Sequence, residues 1–440
     1  MSGNRYIKGF SKLSAAEKME WLKSSFNIDN EYIQDLRSHL HTDSSFQKVY
    51  EEFSENTISN FFIPYGLAPN FLINNKWYVV PMAIEESSVV AAASHAAKFW
   101  SAHNGFQAEI INNIKVGQVH FHWSGSSEEL KHFFKENKKL LLENLEDVTS
   151  SMRKRGGGII DLELVDKTAE LAEYYQLHVK FRTANAMGAN FINTVLEKLG
   201  NTWKKLADES AAKNHITGSL EINMAILSNY TPENLVRVSV KTDIDSLEVF
   251  SEELSGLKFA EKFVRAVNIA RNDTYRAVTH NKGIFNGMDG VVIATGNDFR
   301  AVEACGHAYA GKSGMYRSLS KAKIVNNHFY FELEIPMAVG TVGGLTSGHP
   351  LAKISMKILQ EPNAEELMMI IAAAGLANNF SAVRSLITSG IQKGHMKMHL
   401  TNILRQLGAS EAEKKKAIEC FKDKTISYNA VKIFLNNQVT

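Results

Sequence analysis

Cysteine is nearly missing from this chain. Cys305 and Cys420 are the only two in 440 residues, which excludes a disulfide framework and suits a reducing compartment. Proline is also sparse: seven residues scattered along the sequence mark no long linker, and no repeat or low-complexity tract appears. There is almost no charge excess. Forty-nine Lys and Arg against forty-seven Asp and Glu leave a formal charge of +2, so nothing favours a nucleic acid or an acidic membrane surface as partner. The N-terminus, Met1-Ser2-Gly3-Asn4-Arg5-Tyr6, lacks the apolar segment of a signal peptide, and the longest apolar run, near Leu367 to Ala377, is too short to span a bilayer. The expectation is a soluble cytoplasmic protein with no membrane and no nucleic-acid partner.

What the chain does contain is ordinary for a globular protein of two or three domains: 44% apolar and 22% charged residues, over a length at which a single core stops growing. Residues up to about 60 read as helices. Ser14-Ala15-Ala16-Glu17 is a capping box, and a second helical stretch runs from roughly Asn30 to Ser54. The run Phe71 to Pro81 predicts a β-hairpin turning on Asn74-Asn75. From about 106 to 225 the pattern is strand, helix, strand, strand, helix, strand. An alternating run from Gln107 through Phe121 comes first, a capping box at Ser126-Ser127-Glu128-Glu129 opens a charged helix, and strands follow at Ile159 to Val165 and Leu177 to Arg182. A helix opened by Asn185-Ala186-Met187-Gly188-Ala189-Asn190 and a last alternating run from Ile216 to Met224 complete the order. That is the ferredoxin-like β-α-β-β-α-β arrangement, inserted in a larger domain. An Ala-rich helix opened by Asn363-Ala364-Glu365-Glu366 and short C-terminal helices, one capped at Ser410-Glu411-Ala412-Glu413, complete an α+β chain.

Chemistry concentrates in a few places. Thr279-His280-Asn281-Lys282-Gly283-Ile284-Phe285-Asn286-Gly287 and Ala294-Thr295-Gly296-Asn297-Asp298 read as two glycine-bounded polar turns that present a lysine and an aspartate. A fixed cation steadied by a carboxylate suits a reaction in which a carbonyl oxygen gains negative charge. Glu85-Glu86-Ser87-Ser88 stands at the mouth of a helix rich in small side chains, which a serine can cap. Gly394-His395-Met396 supplies a group that titrates near neutrality.

Those motifs, with Glu55-Asn56-Thr57-Ile58, Pro64-Tyr65, Asp273-Thr274-Tyr275-Arg276-Ala277, Gly343-Gly344 and His349-Pro350, stand in the order found in class II 3-hydroxy-3-methylglutaryl-CoA reductases, which the chain resembles from about 50 to 400. The resemblance implies a large mixed α/β substrate domain (1–108 and 223–385), an inserted nucleotide-binding domain (109–222) and a helical C-terminal flap (386–440) that closes over the site. It implies Glu86, Lys282, Asp298 and His395 as the catalytic set. Lys282 stabilises the charged oxygen, Asp298 orients Lys282 and binds Glu86, and His395 protonates the departing CoA thiolate. Glu86 must be protonated to act as an acid, and burial with the like charge of Asp298 is expected to keep it so against the helix dipole. Ser88, Arg276 and Asn286 match positions that hold the hydroxymethylglutaryl end.

The resemblance places the dinucleotide at Asn185, Met187, Gly188 and Asn190, where a helix N-terminus receives a phosphate. Relatives that use NADH carry an aspartate before the glycine run that is here Gly156-Gly157-Gly158. Aligned on those glycines, this chain has Thr149, followed by Arg153-Lys154-Arg155. A hydroxyl beside Arg153 and Arg155 tolerates a ribose 2′-phosphate far better than a carboxylate does, which implies NADPH, with NADH still possible, and a biosynthetic direction. Asn185 replaces an aspartate of some relatives, and Ser59-Asn60 stands where the family motif ends in glycine. Partners implied are HMG-CoA, mevalonate and CoA, and a homodimer or a dimer-based oligomer. NAD-dependent oxidation of mevalonate and a non-catalytic CoA- or nucleotide-binding homologue are the alternatives.

Each residue also has a plainer account. An isolated Lys282 or Asp298 is ordinarily half of a surface ion pair, and Glu85 is read as a first-turn acid favoured by the helix dipole. His395 and His399 share a spacing also used for zinc, but no nearby carboxylate or cysteine completes a ligand set, so no metal is expected. The basic triplet could be a solvated helix end facing the C-terminal dipole. Cys305, between Ala304 and Gly306, reads as a buried small residue.

Overall fold

The structure is a computed structural model that describes residues 6–388, 400–421, 424 and 426–437. The capping box forms at α1 (Ala15–Phe26): the Ser14 hydroxyl accepts from the Glu17 N–H at 3.2 Å, and the Glu17 carboxylate accepts from the Ser14 N–H at 2.7 Å. The expected second helical stretch is two helices, α2 (Asn30–Ser38) and α3 (Ser44–Glu51). Asp43 interrupts it, because its carboxylate accepts from the Ser45 N–H at 2.8 Å and so starts a new helix there. The hairpin of β1 (Tyr65–Ile73) and β2 (Lys76–Ala83) turns on Asn74 and Asn75, both left-handed with φ of 47° and 64°, the geometry whose twist matches that of the strands.

Two antiparallel sheets follow. Between α4 (Val89–Ser101) and α7 (Ala189–Ala212) lie β3 (Gln107–Asn113), β4 (Lys115–Trp123), α5 (Ser127–Glu143), α6 (Glu146–Arg153), β5 (Gly158–Asp166) and β6 (Tyr174–Arg182); β7 (Leu220–Leu227) comes after α7. The inserted sheet has the order β5-β6-β4-β7, all neighbours antiparallel, as the ferredoxin-like pattern requires. One alternating run behaves differently from its reading. Residues 107–121 are not a single strand: the chain breaks at Ile114, β3 pairs with β8 (Asn234–Asp243), and only β4 enters the inserted sheet. Alternation of apolar and polar residues is the same in either sheet, so periodicity carries no mark of the crossing.

The large sheet, β3-β8-β10-β9, is completed by β9 (Ser320–Val325) and β10 (His328–Pro336). Its helices are α8 (Gly256–Asn272), α9 (Thr274–Ala294), α10 (Phe299–Ala310), α11 (Gly344–Gly348), α12 (Pro350–Ile358) and α13 (Ala364–Ile387). Trp100, Phe259, Phe263, Phe329, Phe331 and Phe380 fill its core, whereas Phe121, Phe133, Phe181 and Trp203 fill a separate core under the inserted sheet. A third cluster joins Leu404, Ala417 and Val431 near the C-terminus, across the helices Glu411–Cys420 and Tyr428–Asn436.

Helix α13 is long and apolar enough to cross a membrane, yet 83% of its apolar window is buried inside the protein. A helix apolar on all sides is here the core of a large domain. Its closest approach is to α9. A Cβ at Gly287 would lie 2.4 Å from the Ala374 carbonyl oxygen, and one at Gly375 would lie 2.7 Å from the Met288 Cγ. Gly287→Ala therefore forces two backbones apart. Overpacking of about 1–3 kcal/mol should outweigh the gain of about 1 kcal/mol in helix propensity, and thermal unfolding should show a lower midpoint. Gly283→Ala is the control, since a Cβ there meets nothing closer than 3.9 Å, and should melt no lower than the parent. Equal midpoints for the two variants would refute the tight crossing.

Candidate active site

Lys282 lies in the third turn of α9, which Asp273 opens by accepting from the Arg276 N–H at 2.6 Å. The expected glycine-bounded turn is absent. Gly283, Gly287 and Gly290 are helix-interior residues, and the latter two are the small faces against which Ala374 and Met82 pack. Glycine costs a helix about 1 kcal/mol each, and the burial of α9 and α13 against one another offsets it.

Inward neighbours lock the helix. The Asn281 amide donates to the Arg317 carbonyl at 2.9 Å and accepts from the Leu319 N–H at 3.0 Å, so α9 is tied to the start of β9. His280 Nε2 meets the Ser320 hydroxyl at 2.6 Å, and that hydroxyl donates to Asn379 Oδ1 at 2.8 Å. The hydroxyl proton is thus spent on Asn379, so Nε2–H must donate and Nδ1 is bare. Nδ1 is indeed buried without a partner among the described residues. Burial, reinforced by Arg276, pushes His280 down to about 3, so the ring stays neutral. With His280 and Asn281 facing inward, Lys282 is left exposed.

Glu86 occupies the loop between β2 and α4, and its carboxylate pairs directly with the Lys282 ammonium. Ser88 takes the N-cap position of α4, but its φ is 74° and its side chain makes no cap bond, so the expected serine cap does not form. A left-handed backbone at a residue other than glycine costs about 1–3 kcal/mol and tends to persist at functional sites. Arg276 is half-buried in the first turn of α9, and Asn286 lies four residues beyond Lys282 on the same helix, which puts both asparagine and lysine on one face.

Asp298 is placed otherwise than expected. It caps α10, accepting from the backbone N–H groups of Arg300 and Ala301 at 3.0 and 3.2 Å, and it pairs with the Arg300 guanidinium at 3.2 Å. Burial raises its pKa, but Arg300 and those N–H groups outweigh burial and hold the carboxyl below its ordinary range. Within the single chain Lys282 is therefore met by Glu86, and Asp298 by Arg300. A local cap supplied by the next two residues competes with any longer reach. His395 lies outside the described residues.

The sequence reading missed Asp289, which lies two helical turns beyond Lys282 on α9. Burial first, then the charge of Glu303 on α10 and a hydrogen bond to it, then the charge of Glu85, hold its carboxyl well above the ordinary range, against the pull of Lys282. Asp289 Oδ1 is buried without a partner among the described residues. The signal available was the spacing of seven from Lys282, which puts both groups on one face of a helix.

At the inserted domain, α7 opens at Gly188, with φ of 101° and no side-chain cap, so the first N–H groups of a 24-residue helix are left for another acceptor. Asn190 is exposed and Met187 half-buried beside it. The Asn185 side chain is engaged elsewhere, accepting from the Ala364 N–H at 3.1 Å at the start of α13. Thr149 is buried, and its hydroxyl donates to the Leu145 carbonyl at 2.8 Å, so it offers nothing to a ligand in this conformation. Arg153 pairs with Glu146, and Arg155 Nε donates to the Ser151 carbonyl at 3.2 Å; both are exposed at the end of α6. Among the described residues no group of three or more His, Cys, Asp or Glu could hold a metal ion.

Comparison with known proteins decides the family. The family model for hydroxymethylglutaryl-coenzyme A reductase matches residues 14–400. The chain belongs to the hydroxymethylglutaryl-coenzyme A reductase family. It is 36% identical to the 3-hydroxy-3-methylglutaryl-coenzyme A reductase of Archaeoglobus fulgidus over 94% of this chain and 90% of that one. It is 32% identical to a probable reductase of the same name from Borreliella burgdorferi, over 91% and 87% of the two chains. Among solved structures, the class II reductase of Streptococcus pneumoniae bound to NADPH in open conformations matches with a TM-score of 0.72 and 35% identity, over 97% of this chain and all of that one. Within this reductase fold, Lys282 and Glu86 come together, and Asp298 stands apart with Arg300.

Asp289 provides a pH test of the site. A carboxyl whose folded pKa is raised adds stability that is complete below the unfolded pKa of about 4 and lost as pH rises through the folded value. Asp289→Asn mimics the neutral acid and removes that loss. Its melting midpoint relative to the parent should climb from acid to alkaline pH, and a difference that stays flat from pH 4 to 9 would contradict a protonated Asp289.

Proposed function

We propose that this chain reduces (S)-3-hydroxy-3-methylglutaryl-CoA in two hydride steps, through a hemithioacetal and an aldehyde, to mevalonate and free CoA, using two NADPH per turnover. The observation that carries the reading is the Lys282–Glu86 pair at the mouth of α4. Bound NADPH supplies hydride. Lys282 places an ammonium where a thioester carbonyl oxygen gains negative charge, and a preorganised cation there acts on the transition state without reorganisation. Glu86, already in contact with that ammonium, holds it in place and stands next to the developing alkoxide, where a proton must be delivered. Ser88, Arg276 and Asn286 would grip the hydroxymethylglutaryl end, Arg276 by a charge-assisted bond to the carboxylate. His395 would protonate the CoA thiolate, and Asp298 would act on Lys282 only after Arg300 releases it or another subunit rearranges the site.

The uncapped start of α7 fits a dinucleotide phosphate, with Gly188 and Asn190 at its mouth and Met187 beside it. NADPH rather than NADH is favoured by the exposed Arg153 and Arg155 and by the NADPH-bound relative. The working unit would be a homodimer in the cytoplasm, with residues 386–440 as a flap over the site.

Turnover is read from loss of absorbance at the reduced nicotinamide band with the thioester and each cofactor in turn. Lys282→Ala should lower kcat by at least about 10³-fold while the far-UV circular dichroism is unchanged; a near-normal rate would overturn the mechanism. Arg155→Ala should raise KM for NADPH about tenfold, the worth of one charge-assisted contact, and leave KM for NADH unaltered. A parent enzyme that prefers NADH tenfold or more would refute the cofactor assignment.

A further inference from the structure

Lys115 is a buried cation that the reaction described above does not use. It is the first residue of β4, where the chain passes from the large sheet to the inserted one. Only 3% exposed, it donates from Nζ to the Thr183 hydroxyl at 2.5 Å and to the Ala186 carbonyl at 2.9 Å. Both acceptors are neutral. Burial alone pushes the ammonium down to about 7, and among the described residues no carboxylate pairs with it. The Thr183 hydroxyl donates in turn to the Ala186 carbonyl at 2.6 Å, and a Cβ at Gly188 would lie 2.5 Å from the Thr183 methyl. Lys115 is thus knotted from beneath to the segment that ends at the N-cap of α7.

The other side of that segment is gripped by the large domain. The Thr341 N–H donates to the Asn185 carbonyl at 2.8 Å, the Ala364 N–H donates to its side chain, and a Cβ at Gly340 would lie 2.3 Å from the Met187 nitrogen. The turn therefore has one shape, set by both domains. Its electrostatics are one-sided. A buried ammonium with neutral acceptors is costly, and the uncapped end of a 24-residue helix adds positive potential in the same place. An anion at the mouth of α7 relieves both.

We propose that Lys115 is a positioning residue for a dinucleotide phosphate: from beneath the 183–188 turn it fixes the backbone that meets the phosphate and supplies the buried positive charge that draws it there. This rests on the reading of the α7 mouth as the nucleotide site. Lys115 acts through the turn and does not touch the reacting atoms.

The test uses the full-length protein with Lys115→Met, which keeps most of the unbranched side chain and removes its charge, and Lys115→Gln as a second variant. NADPH binding is measured directly by nicotinamide fluorescence titration, alongside steady-state kinetics and thermal melting. The dissociation constant should rise at least about tenfold in both variants. In the kinetics the loss should fall on KM for NADPH, not on KM for the acyl-CoA or on kcat at saturating cofactor. Melting should not be lowered in Lys115→Met, because an uncompensated buried charge has been removed. Affinity equal to the parent's overturns the proposal, and so does a variant that unfolds or loses acyl-CoA affinity in parallel, which marks Lys115 as a structural strut. Gly188→Ala separates this from the site itself. If NADPH affinity falls in Gly188→Ala and holds in Lys115→Met, only the role of Lys115 fails; if it survives Gly188→Ala, or the parent binds no NADPH, the nucleotide site is misplaced and the proposal falls with it.

Discussion

The approach of α9 to α13 is the constraint on which the site depends. Where Gly287 faces the Ala374 carbonyl and Gly375 faces Met288, neither helix can rotate without a clash. Interiors packed at crystal-like density deform little, so the angular position of every α9 side chain follows. His280 and Asn281 must point into β9 and α13, where His280 Nε2 meets Ser320 and the Asn281 amide bonds to Leu319 and Arg317. Lys282, the next residue, then has no choice but the solvent-facing side where the loop before α4 brings Glu86. A lysine on a loop would have had to lose far more side-chain and backbone freedom to reach the same place.

The carboxyls of these elements meet different surroundings. Glu86 meets a cation directly. Asp298 meets Arg300 and two backbone N–H groups, and so stays ionised despite partial burial. Asp289 is half-buried beside another carboxyl, and its pKa is pushed up to about 8, which favours the protonated acid. Protonation of Asp289 removes one negative charge from behind Lys282, and Glu86 is the carboxylate in direct contact with its ammonium.

How much of this was legible depended on whether the signal was local. The capping boxes at Ser14 and Ser410 and the Asn74-Asn75 turn rest on neighbours in sequence and appear as read, and the inserted sheet keeps its strand order once the first run is split at Ile114 and the first helix into α5 and α6. The box at Ser126 forms only half: Ser126 accepts from the Glu129 N–H, but the Glu129 carboxylate goes to Thr217 and Gly218, a strand away. Glycines near Lys282 suggested turns, because a lone sequence does not distinguish a glycine that bends the chain from one that admits a neighbouring helix. Ser88 was expected to cap, but its backbone is left-handed and its side chain makes no cap bond. Asp289 and Lys115 were invisible for a common reason: what sets each apart is a burial partner from a distant element, Glu303 in one case and Thr183 in the other.

The two ends of the site are joined by backbone rather than by a flexible linker. The chain enters the inserted sheet at Lys115, one residue after leaving the large one, and the 183–188 turn is bonded to residue 341 and to the first residue of α13. That same α13 runs on to pack beside Lys282 through Gly375 and Asn379. A displacement of the turn at the mouth of α7 therefore reaches a helix that is buried over most of its length and has little room to bend. On the proposed reading, the spacing between a hydride donor at α7 and a carbonyl at Lys282 would be set in part by that helix. Reactions of this kind lose rate steeply with misplacement of about 1 Å, which on that reading would give a physical reason for seating the 183–188 turn on the end of the core helix as well as on the inserted sheet.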